Sequence, residues 1–146
     1  MMLVSNYVSK SPIHGCGLFA ASLIPRGTPI WRFVSGFDHD FTPEQWAALP
    51  EPARGHTRHF CFVRKGDLHV ILSGDHACFI NHAEDPTTGA PADRRPPEIT
   101  IALRDIRPGE EITCNYWSYD ADTAWKLGLI SRDAPLGASP RTPHHA

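Results

Sequence analysis

The stretch CFINHAEDP, residues 78 to 86, carries the pattern from which the fold can be inferred. Phe79 and Ile80 form a short apolar run, which is typical of the end of a buried strand. The run stops at Asn81 and His82, and acidic residues and a proline follow. An amide and an imidazole at a strand end can simply cap the loop backbone. The pair alone therefore does not indicate a function, and the motifs around it must be considered.

The composition indicates one domain with a substantial core. The chain has 146 residues, of which 41% are hydrophobic and 21% charged, and its formal net charge is -2. No strongly basic field is available for direct binding of nucleic acid. No apolar run approaches the length of a membrane span, and the N-terminal residues do not have the pattern of a signal peptide.

The cysteines favour a reducing compartment. They occupy positions 16, 61, 78 and 114 and form no Cys-x-x-Cys pair. We therefore expect reduced thiols in a cytoplasmic protein, with a disulfide between distant positions as the alternative.

Short apolar runs separated by glycine and proline predict a mainly β chain. Turns are expected at IPRG (24–27) and IRPG (106–109), and Lys-Gly-Asp at 65–67 predicts a hairpin. A helix is expected from the Thr42 cap to Pro50, and a second one over 120–127, ended by Gly128. A polar, proline-rich loop is expected over 87–97. Strands are predicted at 4–8, 18–21, 29–34, 60–64, 68–72, 99–103 and 111–116.

Two further motifs flank the opening stretch. HGCGLFA (14–20) places two glycines around one residue, which lets the backbone turn sharply or approach a ligand closely. RPGEEITCNYWSYD (107–120) contains two adjacent acids, but neighbouring strand residues point to opposite faces, so Glu110 and Glu111 are not expected to act together. The tyrosines at 116 and 119 are the more informative groups.

In this order the three motifs resemble those of the SET-domain protein lysine methyltransferases. The match runs over about residues 5–119: the first motif is HGCGLFA together with the turn LIPRGT that follows it, the second is FINHAEDPT and the third is GEEITCNY. The resemblance implies a mainly β, β-clip fold with a knot-like C-terminal crossing and two short helices. It implies a domain over 1–130, closed by residues 120–130, and a disordered tail over 131–146. No cysteine-rich segment follows Tyr116, as in compact stand-alone bacterial and viral members.

The resemblance also implies the chemistry and the residues that perform it. S-adenosylmethionine would be the cofactor and a protein lysine the substrate, and a homodimer is expected because some compact members dimerise. The slight net acidity of the chain favours a basic substrate, such as a histone-like or ribosomal protein or peptide. Tyr116 matches the catalytic tyrosine, and Trp125 would be an aromatic lid over the cofactor. The other cofactor-binding positions are Gly15, Cys16, Gly17, Asn81, His82 and Tyr116 itself. The candidate walls of the lysine channel are Phe60, Phe62 and Tyr119, with Trp31 as a further candidate.

Four positions depart from the family pattern. Ala83 replaces a serine, Thr87 replaces an asparagine, and Cys78 stands where many members have arginine. The first three changes are expected to affect local hydrogen bonding. Cys114 is smaller than the usual aromatic residue, which would leave room for more than one methyl group.

Two other functions fit parts of the sequence. An inactive SET domain would bind peptide or cofactor without turnover, although Asn81, His82 and Tyr116 are intact. A metal-dependent hydrolase would use His76, His82 and Asp85, whose side-chain types suit zinc or iron. No His-x-His or His-Glu-x-x-His spacing supports the second alternative.

Overall fold

A computed structural model describes residues 1–93 and 99–140. The described residues divide into two compact units, one made of Met1–His39 and Leu72–Tyr116 and the other of Asp40–Ile71 and residues 117–140. No described helix is long and apolar enough to cross a membrane. The strands are β1 (Asn6–Lys10), β2 (Cys16–Ala20), β3 (Pro29–Arg32), β4 (His39–Phe41), β5 (Phe62–Val63), β6 (Val70–Leu72), β7 (Asn81–His82), β8 (Thr88–Gly89), β9 (Ile99–Ala102) and β10 (Glu111–Cys114).

The first unit contains a four-stranded sheet in the order β1-β2-β10-β7. β1 and β2 pair antiparallel with Val8 opposite Leu18, and β10 pairs antiparallel with β2. β7 lies parallel to β10, with Thr113 opposite Asn81. The sheet therefore brings three distant segments side by side, because its pairings join residues far apart in the chain.

The strand expected at Phe79 and Ile80 is displaced in the structure. Residues His76–Phe79 form a 3₁₀ helix, and the strand consists of Asn81 and His82 themselves. The side chain of Asp75 caps the 3₁₀ helix by accepting a hydrogen bond from the Ala77 amide. The prediction was wrong because a short apolar run fits a helical turn as well as a strand.

The two expected glycine turns are confirmed, and they lie against each other. Gly27 and Gly109 have φ values of 83° and 84°, a region that glycine reaches without steric cost. Ile24 and Ile106 exchange amide-to-carbonyl hydrogen bonds of 2.8 Å in both directions. Both isoleucines are almost completely buried, so this pairing forms part of the core of the first unit.

A second sheet of the first unit has the order β3-β9-β8. β8 lies inside the segment 87–97 that was expected to be a loop, whose residues 94–97 are outside the described part. Thr88 is fully buried and its hydroxyl donates to the Thr113 carbonyl at 2.7 Å. A satisfied hydroxyl allows this polar residue to lie in the core, which the polar sequence of the segment does not indicate.

Helices α1 (Pro43–Ala47) and α2 (Glu51–Phe60) belong to the second unit. α1 begins with the predicted capping box between Thr42 and Gln45. α2 was not predicted, since it contains proline and glycine and few apolar residues. Trp46 Nε1 donates to the Thr57 hydroxyl at 2.9 Å, which fixes the two helices together. Phe60 ends α2 and does not begin a strand, so the prediction of a strand over 60–64 holds only for residues 62 and 63.

The predicted hairpin is present, and it belongs to a third sheet in the order β4-β6-β5. β5 and β6 pair antiparallel, with Phe62 opposite Ile71 and Val63 opposite Val70. Gly66, in the connecting turn, has a φ of 98°, which the Lys-Gly-Asp sequence provides.

Helix α3 (Thr123–Lys126) is the second predicted helix, so the described residues contain three α-helices where two were expected. It ends as predicted at Gly128, whose φ is 72°. The amides of Gly128 and Leu129 donate to the carbonyls of Trp125 and Ala124, which is the Schellman arrangement.

Residues 131–137, expected to be disordered, have defined partners within the second unit. Arg58 donates to the carbonyls of Ala134 and Pro135, and the Gly137 amide donates to Asp122. These buried polar partners outweigh the low hydrophobicity on which the prediction rested. Residues 141–146 of the expected tail lie outside the described residues.

Candidate functional site

The side-chain amide of Asn81 lies at the centre of the polar groups in the first unit. Its Nδ2 donates to the carbonyls of His14 and Cys16 at 3.1 and 3.0 Å and to Glu111 Oε1 at 2.9 Å. Asn81 is 9% exposed. All three partners are acceptors, so the NH₂ group must face them, and the orientation of the amide is determined.

Glu111, on β10, binds the loop that precedes β2 as well as Asn81. The Ser11 hydroxyl donates to this carboxylate at 2.9 Å and also accepts from the Ile13 amide. Glu110 has different partners: it accepts from Arg104 at 2.9 Å and from the Arg107 amide at 2.8 Å. The Arg107 amide and the Arg104 guanidinium lower the pKa of Glu110. The two neighbouring acids therefore serve separate structures, as the strand argument predicted.

His82 and Tyr116 are joined through the parallel pairing of β7 and β10. The Tyr116 amide donates to His82 Nδ1 at 3.1 Å, and the two rings lie 5.3 Å apart. The Tyr116 hydroxyl donates to the Ile80 carbonyl at 2.5 Å. His82 Nε2 lies 3.1 Å from a Glu84 carboxylate oxygen. Both imidazole nitrogens are thus engaged, and the tyrosine ring is held beside the Asn-His segment.

The turn before β2 combines an unusual backbone conformation with open space. Gly15 has a φ of 45°, and no heavy atom lies within 4 Å of where its Cβ would be. Cys16 is exposed. The main chain at these two residues is therefore accessible to a ligand, while Asn81 holds their segment from the other side.

The position of Thr87 shows how one departure from the family pattern is accommodated. The Thr87 amide donates to the Thr113 hydroxyl at 3.0 Å, and the Thr113 amide donates to the Thr87 hydroxyl at 2.9 Å. Thr87 is 4% exposed. The local hydrogen bonding expected to suffer from this replacement is satisfied.

The other departures from the family pattern, at Ala83, Cys78 and Cys114, have less effect on local hydrogen bonding. The Ala83 amide donates to the Cys114 carbonyl at 3.0 Å, a bond that needs no side chain at position 83. Burial raises the pKa of the Cys78 thiol. Cys114 is a buried thiol in β10.

The predicted aromatic residues are distributed between the two units. In the second unit, Phe62 and Tyr119 pack edge to face, with ring centroids 5.3 Å apart. Phe60 packs on His56 and His59 of its own helix at 5.0 and 4.8 Å. Two of the candidate wall residues, Phe62 and Tyr119, are therefore in contact, whereas Phe60 packs against two histidines.

Trp31, the further candidate, lies in β3 of the first unit. Its Nε1 donates to the Ser73 hydroxyl at 3.1 Å, and the residue is 9% exposed. These are the properties of a core residue with a satisfied indole N–H.

Trp125 also has a packing role. It is 8% exposed, and its Nε1 donates to the Arg132 carbonyl at 3.0 Å. The guanidinium carbons of Arg58 and Arg132 lie 4.3 and 4.9 Å from the ring centroid. None of these contacts supports the predicted role of Trp125 as a cofactor lid.

The metal-site alternative receives no support from the described residues. Over 1–93 and 99–140, no three His, Cys, Asp or Glu side chains are grouped as metal ligands. His76 packs against Phe79 with ring centroids 6.1 Å apart.

Comparison with known proteins identifies the family. Residues 15–117 match the SET domain. The chain belongs to the SET-domain family. This range contains the Gly15–Gly17 turn, the Asn81–His82 strand and Tyr116, the positions from which the resemblance was inferred.

One relative and two solved structures agree with this assignment. A candidate histone-lysine N-methyltransferase 1 of Plasmodium falciparum is 27% identical over 118 residues, which are 75% of this SET domain chain but 2% of that protein. A crystal structure of a candidate histone methyltransferase from the same organism has a TM-score of 0.54 at 18% identity, covering 79% of this chain and 95% of the other.

The second structure is Polycomb Repressive Complex 2 of Chaetomium thermophilum in an autoinhibited conformation bound to S-adenosylmethionine. Its TM-score is 0.58 at 20% identity, and the match covers 91% of this chain and 17% of the other. These likenesses confirm the predicted mainly β SET-domain fold.

Sequence reasoning missed the role of Glu111 and Ser11. Glu111 was considered only as one of a catalytic pair and was set aside. A signal was present, since an acid two positions before a strand threonine faces the same side as that threonine. Its partner Asn81, however, is brought to it by the register between β10 and β7, which the sequence does not give.

Proposed function

We propose that this SET domain transfers the methyl group of S-adenosylmethionine to the side-chain amine of a lysine in a protein. One observation carries the proposal: the Gly15–Gly17 turn, Asn81, His82 and Tyr116 form one hydrogen-bonded cluster in the first unit. The SET-domain match supports it, as do a relative named as a histone-lysine N-methyltransferase and a structural neighbour that was solved with S-adenosylmethionine bound.

The residues of the cluster fit such a cofactor. With its NH₂ group turned toward carbonyl and carboxylate oxygens, Asn81 offers its own Oδ1 to an ammonium donor. The exposed main chain at Gly15 and Cys16 would lie against the cofactor beside Asn81. The His82 main chain, continuing β7, would meet the adenine edge.

When bound, S-adenosylmethionine supplies a methyl group on a positively charged sulfur. A free lysine has a pKa of about 10.4 and is protonated at neutral pH. Aromatic walls around the amine would remove water from it, which favours its neutral form. No acid is needed for the leaving group, because a thioether leaves neutral.

Tyr116 would act through its hydroxyl oxygen. That hydroxyl already donates its proton to the Ile80 carbonyl, so its lone pairs remain available as acceptors. They can orient a polarised methyl group by weak C–H···O contacts and hold the incoming amine in line.

The proposal also covers the substrate class, the oligomeric state and the location of the protein. A net charge of -2 favours a basic peptide, such as a histone-like or ribosomal tail. Cys114, two residues before Tyr116, would leave room for more than one methyl group. A homodimer and a cytoplasmic location are part of the proposal, and the four cysteines, none of them in a disulfide, are compatible with a reducing compartment.

Calorimetry and methyl transfer test the proposal together. We expect S-adenosylmethionine to bind with a Kd of about a micromolar or tighter, and labelled methyl to reach lysine in a basic protein. Tyr116→Phe should keep cofactor binding within about threefold and lower turnover by about 100-fold. Absence of binding at about a millimolar would refute the enzyme function. Binding without turnover on any basic substrate would instead identify a binding module.

A further inference from the structure

We infer that Glu111 is a positioning residue of the cofactor site, acting through Asn81 and the Gly15–Gly17 turn. This inference rests on the proposed function, since it assigns the orientation of a group that would bind the cofactor. Nothing in the SET-domain resemblance assigned Glu111 a role.

The Glu111 carboxylate joins three segments of the first unit. It accepts from the Ser11 hydroxyl at 2.9 Å, and Oε1 accepts from Asn81 Nδ2 at 2.9 Å. Ser11 in turn accepts from the amides of Ile13 and His14 at 2.9 and 3.4 Å. One carboxylate on β10 therefore anchors both the loop that precedes β2 and the amide on β7.

The charge of this carboxylate fixes which atom Asn81 offers to a ligand. An amide that rotated by 180° would place its oxygen against two carbonyls and a carboxylate, and all four atoms are acceptors. Bonds to a charged acceptor are about twice as strong as neutral ones, so Glu111 contributes the largest share of this preference. The result is a fixed Oδ1 acceptor at the site.

Gly17 supplies the space that the carboxylate occupies. A Cβ at Gly17 would lie 2.2 Å from Glu111 Oε1 and 3.1 Å from the Ser11 Cβ. The two glycines of the motif thus have different physical roles, because Gly15 provides a φ of 45° whereas Gly17 makes room for Glu111. A larger residue at 17 would displace the oxygen that binds Asn81.

The test compares Glu111→Gln with Glu110→Gln. Glutamine keeps the shape of residue 111 but replaces one acceptor oxygen by a donor, which opposes the donors of Asn81 and Ser11. We expect Glu111→Gln to weaken S-adenosylmethionine binding by about tenfold or more and to leave the KM for the peptide within about twofold. Glu110→Gln, with partners on Arg104 and Arg107, should leave cofactor binding unchanged. A purely structural role for Glu111 would alter both binding constants and the melting temperature together.

A double-mutant cycle tests the contact with Gly17 directly. Gly17→Ala should weaken cofactor binding strongly in the wild type and much less in a Glu111→Ala background, because the colliding carboxylate is then absent. Equal effects of Gly17→Ala in both backgrounds would overturn the inference, as would unchanged cofactor binding by a folded Glu111→Gln variant. If the wild-type protein itself binds no cofactor, the proposed function fails instead.

Discussion

The buried ion pair between Arg58 and Asp122 gives the sharpest prediction about stability. Arg58 Nε and Nη2 donate to the two carboxylate oxygens of Asp122 at 2.8 and 3.0 Å. The side chains of Arg58 and Asp122 are 10% and 0% exposed. Asp122→Ala would leave a buried guanidinium with the carbonyls of Ala134 and Pro135 as its remaining hydrogen-bond acceptors, and would deprive the Gly137 amide of its acceptor.

The magnitude follows from the burial. Removing one partner of a buried, hydrogen-bonded pair costs about 3–5 kcal/mol, mainly because the other charge stays buried. At about 2–4 °C per kcal/mol for a chain of this size, the melting temperature should fall by about 6–20 °C. Arg58→Met with Asp122→Ala removes both charges, so the double variant should regain much of the lost stability.

Urea unfolding followed by tryptophan fluorescence measures these changes. The matched control is the exposed pair of Arg64 and Asp67, which has the same chemistry with side chains 32% and 45% exposed. Asp67→Ala should change the unfolding midpoint far less than Asp122→Ala, since water replaces the lost partner. The reasoning is refuted if Asp122→Ala costs less than about 1 kcal/mol or if the double variant is less stable than both single variants.

Three further predictions concern single residues. Burial raises the pKa of the Cys61 thiol to about 12, so iodoacetamide at neutral to mildly alkaline pH should label the exposed Cys16 and not Cys61; equal labelling of both would contradict this. The same shift means that the stability from keeping Cys61 neutral is lost as the pH rises from the unfolded thiol pKa toward about 12. Thr87→Val should cost about 1–3 kcal/mol in chemical denaturation by leaving the buried Thr113 amide without its acceptor, whereas Thr87→Ser should cost less. Gly128→Ala should cost about 1 kcal/mol or more in the same assay because of its φ of 72°; no loss would show that the turn can relax.

Local signals predicted local structure well. The Thr42 capping box, the hairpin at Gly66 and the turns at Gly27 and Gly109 each depend on a few adjacent residues, and all are confirmed. The helix over Glu51–Phe60 was missed because its stability comes from tertiary contacts, such as the bond from Trp46 to Thr57. Polar residues 131–137 were expected to be disordered for the same reason, since their partners are distant in sequence.

The candidate site, too, was predicted in part from local sequence and in part became visible only in the tertiary structure. The motifs around Gly15, Asn81 and Tyr116 determined the family and the positions to examine, because each motif is a short stretch whose residue types the sequence states directly. Only the tertiary structure showed that Glu111 holds Asn81 and requires the absence of a side chain at Gly17. It also buried Trp125 beneath Arg58 and Arg132. Such roles depend on sheet register and on contacts between residues that are dozens of positions apart in the chain. Neither can be inferred from residue types alone.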